Sequence, residues 1–271
     1  MQEVGADGRP WCTLITVTYN SAATLAEFWQ RPLPDGVEWI VVDNASTDDT
    51  ADVADRLGAH VIRLGANKGF SYANNIGRQA ARSEFVGFVN PDLRIDEAGL
   101  RELREIALSR GALVAPQLVN ADGSLQPNGR GYPLLTAKIR NRLRGGDPRY
   151  LLLAHGSEPR PVCWFMGAAV FGAVEAFDRV KGWDPHFFLY YEDKDICLRA
   201  WAAGLEVLVS PRARFVHGWA RETTRFSVAP WRRELASMAK FYRRYPEFLL
   251  GRRISARVHP DVESAVFPDG Q

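Results

Sequence analysis

The chain has 271 residues, 34 Lys+Arg against 32 Asp+Glu for a net charge of +2, 46% hydrophobic residues and three cysteines. That length holds one large domain or two small ones, and the composition excludes a disordered, collagenous or low-complexity chain. The near-neutral balance argues against a chain-wide nucleic-acid binder. Cys12, Cys163 and Cys197 are odd in number, widely spaced and without a CxxC; they fit neither a disulfide framework nor a zinc site and predict a reducing, cytoplasmic setting. No apolar run approaches the ~20 residues of a spanning helix, and the first ten residues lack a signal-peptide core. The expectation is a soluble or peripheral protein.

In chain order, residues 1–10 read as a polar leader. Residues 11–19 are rich in β-branched side chains and predict a buried strand. A helical segment over about 22–30 leads to a second strand over 37–43. Ser46-Thr-Asp-Asp49 reads as an N-cap with an acid three residues on, opening a helix to about residue 57. Strand, helix and strand then recur at 60–64, about 71–82 and 85–89, followed by a helix over about 96–109 and an apolar strand over 112–118. This alternation implies βαβ units, a mostly parallel sheet and a nucleotide-binding type of half over about 11–120.

Asn120-Ala-Asp-Gly123 is a turn signal, and residues 124–160 carry no clean period; the basic stretch 138–146 reads as a loop or short helix. Residues 162–171 predict one strand, followed by a short helix to Val180, a loop over 182–191, a helix over 193–203 and two strands over 206–209 and 214–217. After Pro230, residues Trp231, Leu235, Met238, Tyr242, Tyr245 and Leu249 recur as a single helical stripe. The reading is one domain over 11–228, its second half (121–228) on the acceptor side, with a C-terminal helix and tail over 229–271.

In an open parallel sheet, ligands bind off the carboxyl ends of the strands. Four consecutive strand ends carry amides or carboxylates: Thr18-Tyr19-Asn20, Asp43-Asn44-Ala-Ser46, Asn67-Lys-Gly69 and Asn90-Pro-Asp92. Each alone is an ordinary turn; together they form a candidate site. Asp43 suits a ribose or a base N–H, the competing role of helix cap falling to Ser46. Residues 67–77 place small residues and amides at a helix entrance, where an anion is favoured. A dehydrogenase is disfavoured because GxGxxG is absent. Asp92, with two substrate phosphates, suits Mg2+ or Mn2+. Glu192-Asp193-Lys-Asp195 follows the aromatic run 187–191, an environment for a general base, with helix capping accounting for at least one of the three acids. His217, at the end of the last strand, is open between a structural and a ligand role.

The motifs TVTYN, IVVDNASTDDT, NKGFSYANNIG, FVNPD, FMGAA, GWDPHFFLYYEDKDICLR and VHG, in this order over about residues 11–225, resemble family 2 glycosyltransferases, and within them the bacterial rhamnosyltransferase-like branch. The resemblance implies a GT-A fold (a Rossmann-like, mostly parallel sheet flanked by helices), a nucleotide-diphosphate sugar donor (dTDP-, UDP- or GDP-), a divalent cation and inversion at the anomeric carbon. Carried over, it implies that Tyr19, Asp43 and Asn67 line the nucleoside pocket with Gly69 and Asn74 beside it. Thr18, Asn20, Asn44 and Asn90 are the adjoining strand-end groups on the donor side, and Met166, Gly167 and Ala168 flank the sugar. Asp92 and His217 would hold the metal, and Asp193 would be the base with Glu192 in support. The chain departs from the family's DxD pattern in having Asn90 at its first position. A sugar nucleotidyltransferase and a non-catalytic nucleotide-sugar binding module stand as the alternatives.

The acceptor is left to the parts not shared. Residues 137–160 carry a local charge of +4 and residues 231–253 one of +5, leaving −7 for the rest of the chain. A glycan, a lipid-linked sugar at the inner membrane face or a small molecule are all compatible. The C-terminal stripe has three destinations: the domain's own core, a second copy of the chain in a homodimer, or anionic lipid.

Overall fold

In the computed structural model, residues 8–144, 149–218 and 228–268 are described. The first half follows the alternation read from the sequence. Strand β1 (Cys12–Thr18) leads through α1 (Ala22–Phe28) to β2 (Val37–Asp43), then through α2 (Thr50–Arg56) to β3 (His60–Arg63). Helix α3 (Phe70–Ala80) returns the chain to β4 (Phe85–Val89), which is followed by β5 (Leu93–Arg94), α4 (Glu97–Arg110) and β6 (Leu113–Val119). Helix α4 has firm ends: the Asp96 carboxylate accepts from the Gly99 N–H at 2.8 Å, and Gly111 stops the helix in the left-handed region.

The second half contains β7 (Gly129–Arg130), α5 (Leu135–Arg144), β8 (Leu151–Leu152), β9 (Arg160–Pro161), β10 (Trp164–Phe165), β11 (Ala169–Ala173), α6 (Val174–Arg179), α7 (Glu192–Ala202) and β12 (Val207–His217). Helices α8 (Val228–Arg244), α9 (Glu247–Leu250), α10 (Arg252–Val258) and α11 (Pro260–Val266) close the described chain. The main sheet runs β3-β2-β1-β4-β11-β6-β12-β5, with β9 added on β12; β10-β7-β8 form a second small sheet. Strands β3, β2, β1 and β4 are mutually parallel, as are β6 and β12, whereas β11 lies antiparallel between β4 and β6. The chain leaves β1 toward β2 and returns on its other side as β4, a topological switch point whose carboxyl edge is a natural ligand crevice.

Several expected elements differ. Helix α2 starts at Thr50, not Ser46, because the Ser46 hydroxyl is engaged by Asp43, while the Asp48 carboxylate takes the Thr50 N–H at 3.1 Å. The strand expected over 162–171 is two, Trp164–Phe165 in the small sheet and Ala169–Ala173 in the large one, with Met166–Ala168 as the bend between them. The two strands expected over 206–217 are one, with a register shift between Ser210 and Arg214; Pro211 has no N–H to give the ladder.

The C-terminal stripe is also revised. Helix α8 ends at Arg244, ahead of Pro246, so Leu249 falls on α9 and is 46% exposed; Leu235 is 52% exposed. Phe241 is fully buried, with Tyr242, Phe248, Met238 and Tyr245 around it. The Phe241 and Tyr191 rings are 5.2 Å apart. Helix α8 therefore covers this domain's own core. The side chain of Trp231, residues 1–7 of the leader and residues 145–146 of the basic stretch lie outside the described residues.

Candidate active site

The carboxyl ends of β1 and β2 form one hydrogen-bonded group. Asp43, 5% exposed, accepts from the Ser46 hydroxyl, the Ser46 N–H at 3.2 Å and the Thr18 hydroxyl at 3.4 Å. Ser46 Oγ in turn accepts from the Asn20 N–H at 2.9 Å, and Asn20 Oδ1 from the Thr47 N–H at 2.8 Å. Asn20 and Ala45 both lie at positive φ (52° and 65°), a backbone form that costs non-glycine residues energy and that this bonding holds in place. Tyr19 stands half exposed above the group.

Asn44 extends the group to the third strand end. It donates from Nδ2 to Asn67 Oδ1 at 2.9 Å and accepts the Lys68 N–H at 2.8 Å; Asn67 Oδ1 also takes the Gly69 N–H at 3.1 Å. Gly69 opens α3 at φ 88°, so close to the loop after β11 and α6 that an added β-carbon would lie 2.6 Å from the Phe188 carbonyl oxygen. Asn74, buried in α3, has its Nδ2 without an acceptor among the described residues.

The end of β4 meets the bend. The Asn90 N–H donates to Ala168 O at 2.8 Å, and a β-carbon on Gly167 would lie 3.4 Å from that of Asp193. Asp92 precedes β5, which pairs antiparallel with the end of β12 so that His217 stands opposite Leu93. This register places His217 Nε2 3.5 Å from Asp92 Oδ2. Among the described residues no group of three or more His, Cys, Asp or Glu side chains is arranged to hold a metal. The Asp92–His217 pair is a two-donor seat that suits a cation only if a ligand's oxygens complete it.

Tyr190 and Tyr191, at φ 68° and 72°, turn the chain into α7, which starts on the acid pair. Burial, and then the neighbouring Asp193 charge, push the Glu192 carboxyl up to about 8. Asp193 accepts the Lys194 N–H at 2.8 Å and lies 3.5 Å from its Nζ. Lys194 itself sits over the Trp164 ring at 3.9 Å and the Tyr191 ring at 4.4 Å, its ammonium disfavoured by burial and then favoured by Asp193. Asp195 faces away from this chemistry: fully buried, it accepts from Arg199 at 2.8 Å, Arg244 at 2.6 Å and Tyr245 at 3.0 Å.

The family profile described as glycosyl transferase family 2 matches residues 13–160, more than half of the chain. The chain belongs to that family. A profile for glycosyl transferase family group 2 matches residues 151–257. The N-acetylglucosaminyl-diphospho-decaprenol L-rhamnosyltransferase of Mycobacterium tuberculosis is 28% identical over 248 residues, covering 78% of this chain and 77% of its own. The low-salt glycan biosynthesis hexosyltransferase Agl10 of Haloferax volcanii is 25% identical over 222 residues, covering 79% and 69%. Among solved structures, the mannosyltransferase PcManGT of Pyrobaculum calidifontis, in complex with GDP-Man and Mn2+, superposes with a TM-score of 0.58 at 19% identity, over 96% of this chain and 70% of its own. The fold is GT-A, and the protein is a glycosyltransferase.

On this family 2 scaffold, several of the residues singled out from the sequence form two connected lines, and Asp92 with His217 forms a separate pair. Thr18, Asn20, Asp43, Asn44, Asn67 and Gly69 are linked by hydrogen bonds along the strand ends. Asn90 joins Ala168, whose neighbour Gly167 abuts Asp193. The sequence reading missed the polar groups of residues 126–130. Asn128 accepts the Met166 N–H at 3.0 Å, and Arg130, buried against Trp164 and Tyr150, donates to Met166 Sδ at 3.4 Å. Their signal was the alternation Gln126, Asn128, Arg130 in a stretch without helical period. One surface cleft is lined by Gly36, Trp39, His60 and Arg82, and another, lined by Trp29, Arg31 and Leu93, begins beside Asp92.

Proposed function

We propose that this glycosyltransferase moves a sugar, a deoxysugar such as rhamnose, from a nucleotide-diphosphate donor to an acceptor hydroxyl with inversion. The observation that carries the reading is the apposition of Gly167, in the bend bonded to Asn90, with Asp193 at the start of α7. In this reading the Asp43 group receives the nucleoside, with Asn67, Gly69 and Asn74 beside it, and the bend Met166–Ala168 flanks the sugar. Asp193 takes the proton of the acceptor hydroxyl as its oxygen attacks the anomeric carbon from the face opposite the diphosphate. Glu192, protonated near neutral pH, spares the helix start a second negative charge beside the base. The Asp92 carboxylate and the His217 imidazole are the side chains that would hold Mg2+ or Mn2+ together with donor phosphate oxygens; such a cation supplies Lewis-acid stabilisation of charge on the leaving diphosphate. The M. tuberculosis relative's name supports a rhamnosyl donor and a lipid-diphosphate-linked acceptor.

Among the described residues no helix is long and apolar enough to cross a membrane. Contact with the inner face of a membrane is supported instead by exposed Ile139 and Leu143 on α5, and by Leu250, Ile254 and Val258 with Arg253 and Arg257 on the adjoining α9 and α10. This basic, apolar face replaces the α8 stripe as the surface proposed to meet anionic lipid. The test of the donor site is a thermal-shift screen of UDP-, GDP- and dTDP-sugars with and without Mn2+. Stabilisation by one nucleotide class names the donor, and no stabilisation by any of them removes the donor-site reading.

A further inference from the structure

The turn at Asn120-Ala-Asp-Gly123 has no place in the mechanism above, yet its side chains form a relay that ends on His217. The Asp122 carboxylate can only accept, so the Ser124 hydroxyl, 2.6 Å away, donates to it. Ser124 Oγ is then the acceptor for Asn120 Nδ2 at 2.8 Å, which turns Asn120 Oδ1 toward Gln126 Nε2 at 2.6 Å. A second constraint fixes the same amide independently. Gln126 Nε2 lies 3.0 Å from the His217 carbonyl oxygen, an acceptor that cannot be exchanged for a donor. Both place Gln126 Oε1 against His217 Nδ1, at 2.9 Å.

An acceptor at that distance requires Nδ1 to carry the proton. In the neutral ring Nε2 then holds the lone pair, and Nε2 is the atom 3.5 Å from Asp92 Oδ2. Gln126 is itself rigid: it is 1% exposed, its N–H donates to Leu118 O at 2.9 Å, and its carbonyl accepts from Gln117 at 2.6 Å. Outer partners that fix a ligating histidine's tautomer are worth about 10- to 100-fold in metal affinity.

We propose that Gln126 is a positioning residue for the metal end of the site: it locks His217 in the Nδ1–H tautomer, so that Nε2 and Asp92 present two lone-pair donors to the cation that accompanies the donor diphosphate. The proposal rests on the metal reading above. Asn120, Ser124 and Asp122 act through Gln126 by fixing which way its amide faces.

The first test needs no change in the chain. Long-range proton–nitrogen NMR of the histidine rings at pH 8 without metal, with His217 assigned by its loss in His217→Gln, should show a protonated Nδ1 and an unprotonated Nε2. An Nε2–H ring overturns the proposal and leaves the metal reading standing. In Gln126→Met, with its folded state checked by circular dichroism, the ring should shift toward the Nε2–H form. Mn2+ binding, followed by electron paramagnetic resonance with UDP, GDP and dTDP in turn, should weaken by about 10- to 100-fold. A tautomer unchanged in Gln126→Met, or one that switches while Mn2+ affinity holds, refutes the positioning role. An unaltered chain that shows the Nδ1–H ring yet binds no Mn2+ with any of the three nucleotides removes the metal reading, and the proposal with it.

Discussion

Arg244, in the last turn of α8, donates from Nη1 to Asp195 Oδ1 at 2.6 Å, and so ties the C-terminal helix to the helix that begins with the Glu192–Asp193 pair. Tyr245 donates to the same oxygen at 3.0 Å, and Arg199 to Oδ2 at 2.8 Å. Asp195 is thus the acceptor on which three donors converge, in a place where no water reaches it. Its role is to hold α8 against α7.

The first prediction concerns that knot. Asp195→Ala takes one acceptor from Arg244, which keeps Asp184, one from Arg199, which keeps the Val180 and Gly182 carbonyls, and one from the Tyr245 hydroxyl. This should cost about 3 kcal/mol, the lower end for a broken buried pair, because the two guanidiniums keep other partners and Arg244 keeps 39% of its side chain in water. The urea midpoint should fall accordingly. Nucleotide affinity should hold, since the Asp43 group stands on other strands. Unchanged stability would show that α8 is held by its apolar face alone.

The second concerns Gly69. Its φ of 88° and the Phe188 carbonyl oxygen 2.6 Å from any added β-carbon make Gly69→Ala both strained and obstructed by backbone. The Phe70 N–H also donates to that oxygen, at 2.8 Å, so relief by moving the loop breaks a hydrogen bond. A loss of about 2 kcal/mol or more is expected, with weaker nucleotide binding. Gly65→Ala, with nothing within 4 Å of the new methyl, is the control and should change stability by less than about 0.5 kcal/mol. Equal effects at the two positions would refute the account of Gly69.

Much of this was legible in the sequence, for identifiable reasons. The first half is built from near neighbours in the chain, so β-branched runs and amphipathic periods locate β1 to β4 and β6 within a residue or two. The two-residue β5, which exists by pairing with the distant end of β12, has no such signal. Strand-end polar residues are conspicuous because they interrupt those runs. The second half depends on pairings that no local pattern encodes. Nothing within 162–171 announces that its ends serve different sheets, a split settled by Gly129 and Arg130 on one side and β4 on the other. Ser46 has the spacing of a helix cap, but local spacing cannot show that its hydroxyl is claimed by Asp43. The stripe on α8 overlooked Phe241, whose burial follows from Tyr191 arriving from another helix's start.

The third prediction is a pH dependence. The Glu192 carboxyl, ordinarily near 4.5, is raised to about 8 by burial and then by Asp193. Between these values the folded state holds a proton that the unfolded chain has lost, so stability falls as pH rises. The contribution is fully present below about 4.5 and gone above about 8. Glu192→Gln, neutral at every pH, should remove this decline; denaturant titrations of both proteins across that range measure it. Identical slopes would mean that Glu192 titrates as an exposed acid. Transfer at pH 7 should survive in Glu192→Gln within about tenfold, whereas loss of a general base costs about 10²- to 10⁴-fold.

The last prediction separates the two acids from the other side. Asp193 is the member of the pair that meets the Met166–Ala168 bend, through Gly167, and its carboxylate takes the Lys194 N–H at 2.8 Å. Asp193→Asn keeps the size and an oxygen for that bond, so the start of α7 and the donor groups around Asp43 should keep their places. The amide cannot accept the acceptor's proton. Turnover should therefore fall by about 10²- to 10⁴-fold, while donor affinity, read as ligand-dependent thermal stabilisation, stays close to that of the unaltered chain. A fall in donor affinity equal to the fall in turnover would assign Asp193 to binding. Near-normal turnover would remove it as the base, and with a silent Glu192→Gln would move the proton acceptor off this helix altogether.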